Sequence, residues 1–417
     1  MSKISTAETS TALESQYAEL RAKNLSLDLT RGKPSLAQLD LSHALLTLPG
    51  EGDYRDAAGT DLRNYGGSDG LIELRQIFSE LLAIPVDQLL AAGNASLAIM
   101  HDTFVTALLH GVPGGVGPWR DVPGLSFLCP VPGYDRHFAI CEALGIRMIP
   151  VPCVDGRLDL DTIRRLVAQD AGIRGMWAVP MYANPTGTSF SVEEVEALVN
   201  MPTAAPDFRL FWDNAYAVHH LTDEEPPVID VLAAAEAAGT PDRPFVFAST
   251  SKITYPGAGI AFFGASPSNI AWRKHHTAVQ TIGPDKINQL RHLRMLGDAE
   301  GVRRHMRAHR VIVEPRFAAV LEILQRRLAG VATWTTPTGG YFVSLDVPHG
   351  AASAAVALAG QIGVAVTPAG SSFPYGDDPD DTNIRIAPTF PSQADLESAI
   401  DALCTCVLLA VERMGAE

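Results

Sequence analysis

In this chain of 417 residues, Ser249-Thr250-Ser251-Lys252 follows directly on an apolar, β-rich run at 244–248. A lysine in that place, flanked by hydroxyls and then by Gly257 and Gly259, is not an ordinary solvated lysine. A partly buried amine gives up its proton more easily, which a Schiff-base lysine requires. The alternative is a loop lysine. A second apolar run closes on Phe211-Trp212-Asp213-Asn214-Ala215-Tyr216. Asp213 there is either a helix N-cap or an acceptor facing a ligand, and Tyr216 can aim its hydroxyl into the same crevice. Asn184-Pro185-Thr186-Gly187 is a turn by composition. Gly93-Asn94-Ala95-Ser96 opens a helical segment, and free amides at a helix start beside a serine hydroxyl suit a phosphate, the alternative being a plain cap. Arg385 sits inside the β-rich run Asn383-Ile384-Arg385-Ile386, where it either grips a carboxylate through two parallel hydrogen bonds or forms an internal ion pair.

These signals need a scaffold that brings them to one edge. From about residue 90 short β-rich runs (126–128, 147–151, 175–181, 209–212, 244–248, 259–264) alternate with helical segments (96–110, 134–144, 160–168, 192–198, 228–238). Near-continuous apolar strands separated by helices predict a mostly parallel sheet covered on both faces, with ligands at the strands' carboxyl ends. After residue 300 the texture changes. A long helix is expected over 302–328, interrupted at Pro315, then β-rich runs at 341–346, 364–367 and 383–386, and a last helix over 393–414. The first thirty residues read as a weakly apolar helical arm lying on another surface. The boundaries expected are 1–45 for the arm and part of a small α+β domain, 46–300 for the large α/β domain and 301–417 for the small domain.

Composition narrows the function. Lys plus Arg total 32 against 47 Asp plus Glu, a net charge of −15, which argues against nucleic-acid and anionic-membrane surfaces. The longest apolar run, 402–411, is well short of the roughly 20 residues a spanning helix needs. Five cysteines form no CxxC pair, no segment reads as a secretory signal, and no motif calls for a metal. A cytoplasmic enzyme is the expectation.

In this chain order the five signals resemble the fold-type-I pyridoxal-phosphate (PLP) aminotransferases, and within them an atypical bacterial aspartate aminotransferase subgroup. Asp213 follows Asn184 by 29 residues, Lys252 follows Asp213 by 39, and Arg385 follows Lys252 by 133. Arg31-Gly32-Lys33-Pro34, Asn64-Tyr65-Gly66-Gly67, Pro132-Gly133-Tyr134-Asp135-Arg136-His137, Thr338-Gly339-Gly340-Tyr341-Phe342 and Pro368-Ala369-Gly370-Ser371-Ser372-Phe373 extend the match over about residues 28–412. The resemblance implies a mostly parallel, seven-stranded-type sheet in the large domain and a small domain built from both chain ends. It makes Lys252 the Schiff-base lysine and Asp213 the partner of the pyridinium nitrogen. Asn184 and Tyr216 become donors to the phenolic oxygen, and Tyr134 the aromatic face against the ring. Asn94, Ala95, Ser96, Ser249 and Ser251 hold the phosphate, joined by Tyr65 from the other subunit of a homodimer. Arg385 and the Gly32 amide take the substrate α-carboxylate.

The implied reaction moves an amino group between an L-amino acid and a 2-oxo acid, with aspartate and 2-oxoglutarate leading. Alanine, aromatic or kynurenine transaminases, a C–S lyase and a PLP-sensing regulatory domain are the alternatives. For a distal carboxylate the candidate cations are Lys286 first, then Arg291 and Lys33. Two departures stand out. Ile260 occupies the place, eight residues after the lysine, where the family carries a phosphate-binding arginine. Val131 and Pro132 lie where it carries an aromatic.

Overall fold

The structure is a computed structural model and describes residues 3–154 and 156–415. Its main sheet has eight strands in the order Leu89–Ala91, Ala261–Ala265, Pro244–Ser249, Arg209–Asp213, Ile173–Ala178, Ser126–Val131, Arg147–Val154, Arg157–Leu158. The central strands pair in parallel, whereas Ala261–Ala265 runs antiparallel to both its neighbours and Arg157–Leu158 antiparallel to the strand beside it. Seven strands carry the sheet, and the eighth is a two-residue edge.

Side chains alternate between the two faces, as a pleated strand requires. Leu210, Trp212, Val246 and Phe262 pack into one apolar cluster, and Phe211, Phe245, Phe247 and Phe263 into another. Burial on both faces explains why these runs lack a polar side, and the helices that supply the covering lie between the strands in sequence.

A third cluster gathers both ends of the chain. Tyr17 and Leu29 pack with residues of the helices Ala299–Leu328, Ala352–Gln361 and Gln393–Gly415. The N-terminal helix Lys3–Ala22 lies along the last helix of its own chain, with the Tyr17 hydroxyl donating to Leu358 O at 3.1 Å. Leu27–Asp28 pairs in parallel with Val364–Ala365. Thr333–Trp334, Val343–Asp346 and Asn383–Ile386 form a three-stranded antiparallel sheet. Pro315 does not split the long helix, which spans it as one 30-residue element. That helix joins the clusters: Val302 and Met306 pack with the large sheet, Val313 to Leu328 with the small block. Among the described residues no helix is long and apolar enough to cross a membrane.

Candidate active site

Five parallel-type strand ends converge on one crevice, because the segments that follow them leave the sheet at the same edge. Arg209–Asp213 delivers Asp213, Pro244–Ser249 delivers Ser249, Ser251 and Lys252, and Ile173–Ala178 leads to Asn184. Ser126–Val131 leads to Tyr134, and Leu89–Ala91 to Asn94, Ala95 and Ser96.

Asp213 is buried. Its Oδ2 lies 3.0 Å from His137 Nε2, and its Oδ1 has no hydrogen-bond partner. His137 is in turn fixed by stacking on Trp177, with ring centroids 4.0 Å apart and planes 4° from parallel, and Tyr134 stands edge-on to it at 4.9 Å. An orphaned acceptor of this kind costs about 1–3 kcal/mol. It calls for a donor arriving from the crevice, and an N–H cation is the best fit. The pyridinium nitrogen of PLP has that chemistry.

Lys252 Nζ lies 4.6 Å from the centre of the Tyr216 ring. Burial, reinforced by the charge of Asp213, pushes the Tyr216 hydroxyl above its usual range, so it is a donor at neutral pH. Tyr134 is pushed up to about 12, chiefly by burial and against the pull of Lys252. The backbone carbonyl of Lys252 accepts from the Tyr341 hydroxyl at 3.3 Å and lies 3.4 Å from His219 Nε2. Gln38 Nε2 donates to the Tyr341 oxygen at 3.0 Å and reaches His309 Nδ1 at 3.1 Å, so a buried polar chain backs the lysine loop.

Arg385 is buried. One terminal nitrogen donates to Asp135 Oδ1 at 2.8 Å and Asn184 Oδ1 at 3.3 Å, the other to Thr367 Oγ1 at 3.3 Å, and its Nε is unpartnered. The guanidinium is thus held in place with hydrogen-bonding capacity left over. Gly32 lies beside it: a Cβ there would come within 2.2 Å of the Phe342 ring, which itself lies 5.2 Å from the Arg385 guanidinium carbon.

The end of the crevice at the helix start is made of hydroxyls and amides. Ala95 caps the helix Ser96–His110, and Ser249 Oγ lies 3.1 Å from Ser251 Oγ. Gly259 closes the cradle, since a Cβ there would stand 3.1 Å from Asn94 O and 3.2 Å from Ser251 Oγ. Ile260 offers nothing to an anion. Its side chain is buried in the apolar core, and its backbone is taken up by Thr250: the amide donates to Thr250 Oγ1 at 2.9 Å and the carbonyl accepts from Thr250 N at 2.8 Å.

Four expected residues have other surroundings. Tyr65 is 81% exposed and its hydroxyl has no partner among the described residues of its own chain. Lys286, expected at a distal carboxylate, is buried and donates to Asn64 O at 2.7 Å and Gly66 O at 2.5 Å. Arg291 donates to Leu48 O, while Lys33 lies 3.7 Å from the centre of the Phe390 ring. Sequence reasoning missed the roles of His137, Tyr341, His219 and Gln38. His137 had a signal, three residues after Tyr134 at helical spacing. Gln38 had none, because it reaches the site from 303 residues away along the chain.

The aspartate amino-transferase family model matches residues 1–417. The chain is 51% identical over 400 residues to an aspartate aminotransferase of Corynebacterium glutamicum, covering 95% of this chain and 92% of that protein. A protein of Mycolicibacterium smegmatis that bears an aminotransferase name is 61% identical over 398 residues, covering 94% and 93%. The crystal structure of an aspartate transaminase from C. glutamicum superposes with a TM-score of 0.97 at 49% identity, over 99% of this chain and 98% of that one. The chain belongs to the aspartate aminotransferase family of fold-type-I, PLP-dependent transferases.

Proposed function

We propose that this aminotransferase binds PLP on Lys252, works as a homodimer in the cytoplasm and exchanges the amino group between L-aspartate and 2-oxoglutarate. The observation that carries the cofactor assignment is the unpartnered, buried Asp213 Oδ1 in the crevice that also holds Lys252. Full-length likeness to a protein named aspartate aminotransferase supports the substrate pair. The five cysteines are free, which suits a reducing compartment.

Bound PLP supplies an electron sink for the bond cleaved at the substrate Cα. The chain's residues do the rest. Asp213 Oδ1 would accept the ring N–H and favour its protonated form, while His137 fixes the carboxylate's orientation. Tyr216 donates its hydroxyl proton toward the phenolic oxygen. Asn184, whose Oδ1 is taken by Arg385, keeps its amide N–H groups for the same oxygen. Arg385 binds the substrate α-carboxylate through the donors that Asp135, Asn184 and Thr367 do not saturate, which turns the Cα–H toward Lys252. Lys252 Nζ is the base that would take the proton from the substrate Cα and, once protonated, the acid that would return it. Ser96, Ser249, Ser251 and the Ala95 amide hold the phosphate, with Tyr65 of the partner subunit completing that end.

An amino-donor panel with 2-oxoglutarate tests the substrate pair: aspartate should give the highest kcat/KM, and a preference for alanine or an aromatic donor overturns it. Lys252→Ala should abolish both transamination and the borohydride-trapped PLP adduct, while wild-type turnover by that variant sinks the lysine assignment.

A further inference from the structure

We propose that Lys286 is a positioning residue that holds Tyr65 in place for the active site of the partner subunit. The inference rests on the reading of Tyr65 as a phosphate contact across the dimer.

The two carbonyls that accept from Lys286 Nζ, those of Asn64 and Gly66, are the ones on either side of Tyr65. The Tyr65 amide itself donates to Asn64 Oδ1 at 2.8 Å. Gly66, Gly67 and Gly70 all have positive φ, at 96°, 70° and 83°. A loop so rich in glycine loses much backbone entropy on ordering and needs an external anchor to hold one shape. The Tyr65 side chain cannot provide it, being exposed and without a hydrogen-bond partner in its own described chain.

The anchor is close-fitting. A Cβ on Gly67 would stand 3.1 Å from Lys286 Cδ, and one on Gly283 would stand 2.6 Å from Gly66 O. Among the described residues no carboxylate lies within ion-pair distance of Lys286. A buried ammonium is costly unless its hydrogens find acceptors, and here the loop carbonyls are those acceptors.

The rest of the helix Lys286–Leu296 shows what the lysine adds. Asn288 Nδ2 donates to Ala258 O and Gly259 O at 3.0 and 3.1 Å, and Gln289 accepts from Leu71 N at 2.7 Å. His292 Nε2 lies 2.9 Å from Thr254 Oγ1. Asn288 therefore braces the phosphate cradle of its own subunit, whereas Lys286, two residues earlier, braces the residue that leaves for the other. One helix ties the two active sites together, in a family member that lacks the arginine at position 260.

Hybrid dimers of the full-length protein separate these roles. In the first arrangement a Lys252→Ala subunit is paired with a Lys286→Met subunit, so the intact lysine site is served by a Tyr65 whose Lys286 is present. In the second, a Lys252→Ala/Lys286→Met subunit is paired with wild type, so the intact site receives Tyr65 from a loop without its anchor. The readout is PLP affinity at the intact site, from borohydride-trapped cofactor titrated against PLP concentration. We expect affinity to be unchanged in the first arrangement and about five- to tenfold weaker in the second, the scale of one net hydrogen bond. Lys286→Arg, which can reach the same carbonyls, should restore most of it and guards against a misfolded Met variant. An equal loss in both arrangements, a loss confined to the first, or no loss in either overturns the proposal. Tyr65→Phe in the same two arrangements separates the failures. If it weakens the second arrangement while Lys286→Met does not, Lys286 alone is misassigned; if it has no effect, the Tyr65 reading fails and takes this one with it.

Discussion

At one end of the crevice Asp213 is gripped by His137, and His137 is clamped flat against Trp177. At the other, Ser96, Ser249 and Ser251 surround a helix start, and the place of the family's arginine holds a buried isoleucine. The ring end is built from one chain, dry and charged. The phosphate end is neutral in its own chain and takes Tyr65 from the partner in the proposed dimer. Preorganised charge is worth most where water is excluded and where the reaction moves electrons, which is the ring. In the proposed function the phosphate does not change charge during the transfer, so that end needs position more than charge.

That contrast can be broken at either end. The largest effect is expected for Asp213→Ala: a charge-assisted hydrogen bond is worth about 1.5–3 kcal/mol, and because this one also sustains the electron sink, kcat should fall by more than about a hundredfold with the fold intact. Retention of most activity with bound PLP would deny the ring end its special status.

The loop between the two ends carries the next effect. Burial pushes His219 and His309 down to about 3 and His292 to about 4, so all three are neutral in the folded protein at neutral pH. Once unfolded they bind protons below about pH 6.5, so stability is full above that pH and is lost as pH falls toward 4. Each histidine adds a slope of about 1.4 kcal/mol per pH unit in that window, up to a tenfold change in the folding constant. Urea midpoints measured from pH 7 to 5 should fall accordingly, and His309→Gln should flatten the slope; an unaltered slope would place the titration elsewhere.

The smallest effect is expected at the phosphate end. Ser249→Ala removes one neutral hydrogen bond among several and should weaken PLP binding about three- to tenfold, with kcat at saturating PLP nearly unchanged. A loss of kcat as large as that of Asp213→Ala would erase the distinction between the two ends.

How much of this was legible in the sequence follows from where apolar pattern and chemistry coincide. The helix Ser96–His110 and the strand Asn383–Ile386 lie where periodicity put them, because apolar burial sets their limits. Leu89–Ala91 was missed, since three residues show no period. The helix Lys286–Leu296 was missed for a better reason. Its buried face mixes Lys286, Asn288, Gln289 and His292 with Leu290, Leu293 and Leu296, so polar residues that pack inward blur the apolar stripe. The expected helix over 228–238 begins only at Val231, where the Asp230 side chain accepts from Ala233 N. At the site, Lys252, Asp213 and Arg385 stood out because charge beside or within an apolar strand is conspicuous. Gln38 and Tyr341 did not, for their meeting is made by the packing of distant segments, which spacing along the chain does not encode.

The parallel pairing of Leu27–Asp28 with Val364–Ala365, and the packing of the first helix on the last, set an order of events during synthesis. The first strand leaves the ribosome more than three hundred residues before its partner does. Domains fold as units as the chain emerges, so the large sheet can close while the amino-terminal helix still waits unpaired. Only the final stretch completes the small block, and with it the buried surface on which Arg385 is mounted. A truncated translation product that ends before Asn383–Ile386 would carry Lys252 and Asp213 on the large sheet yet lack Arg385 altogether.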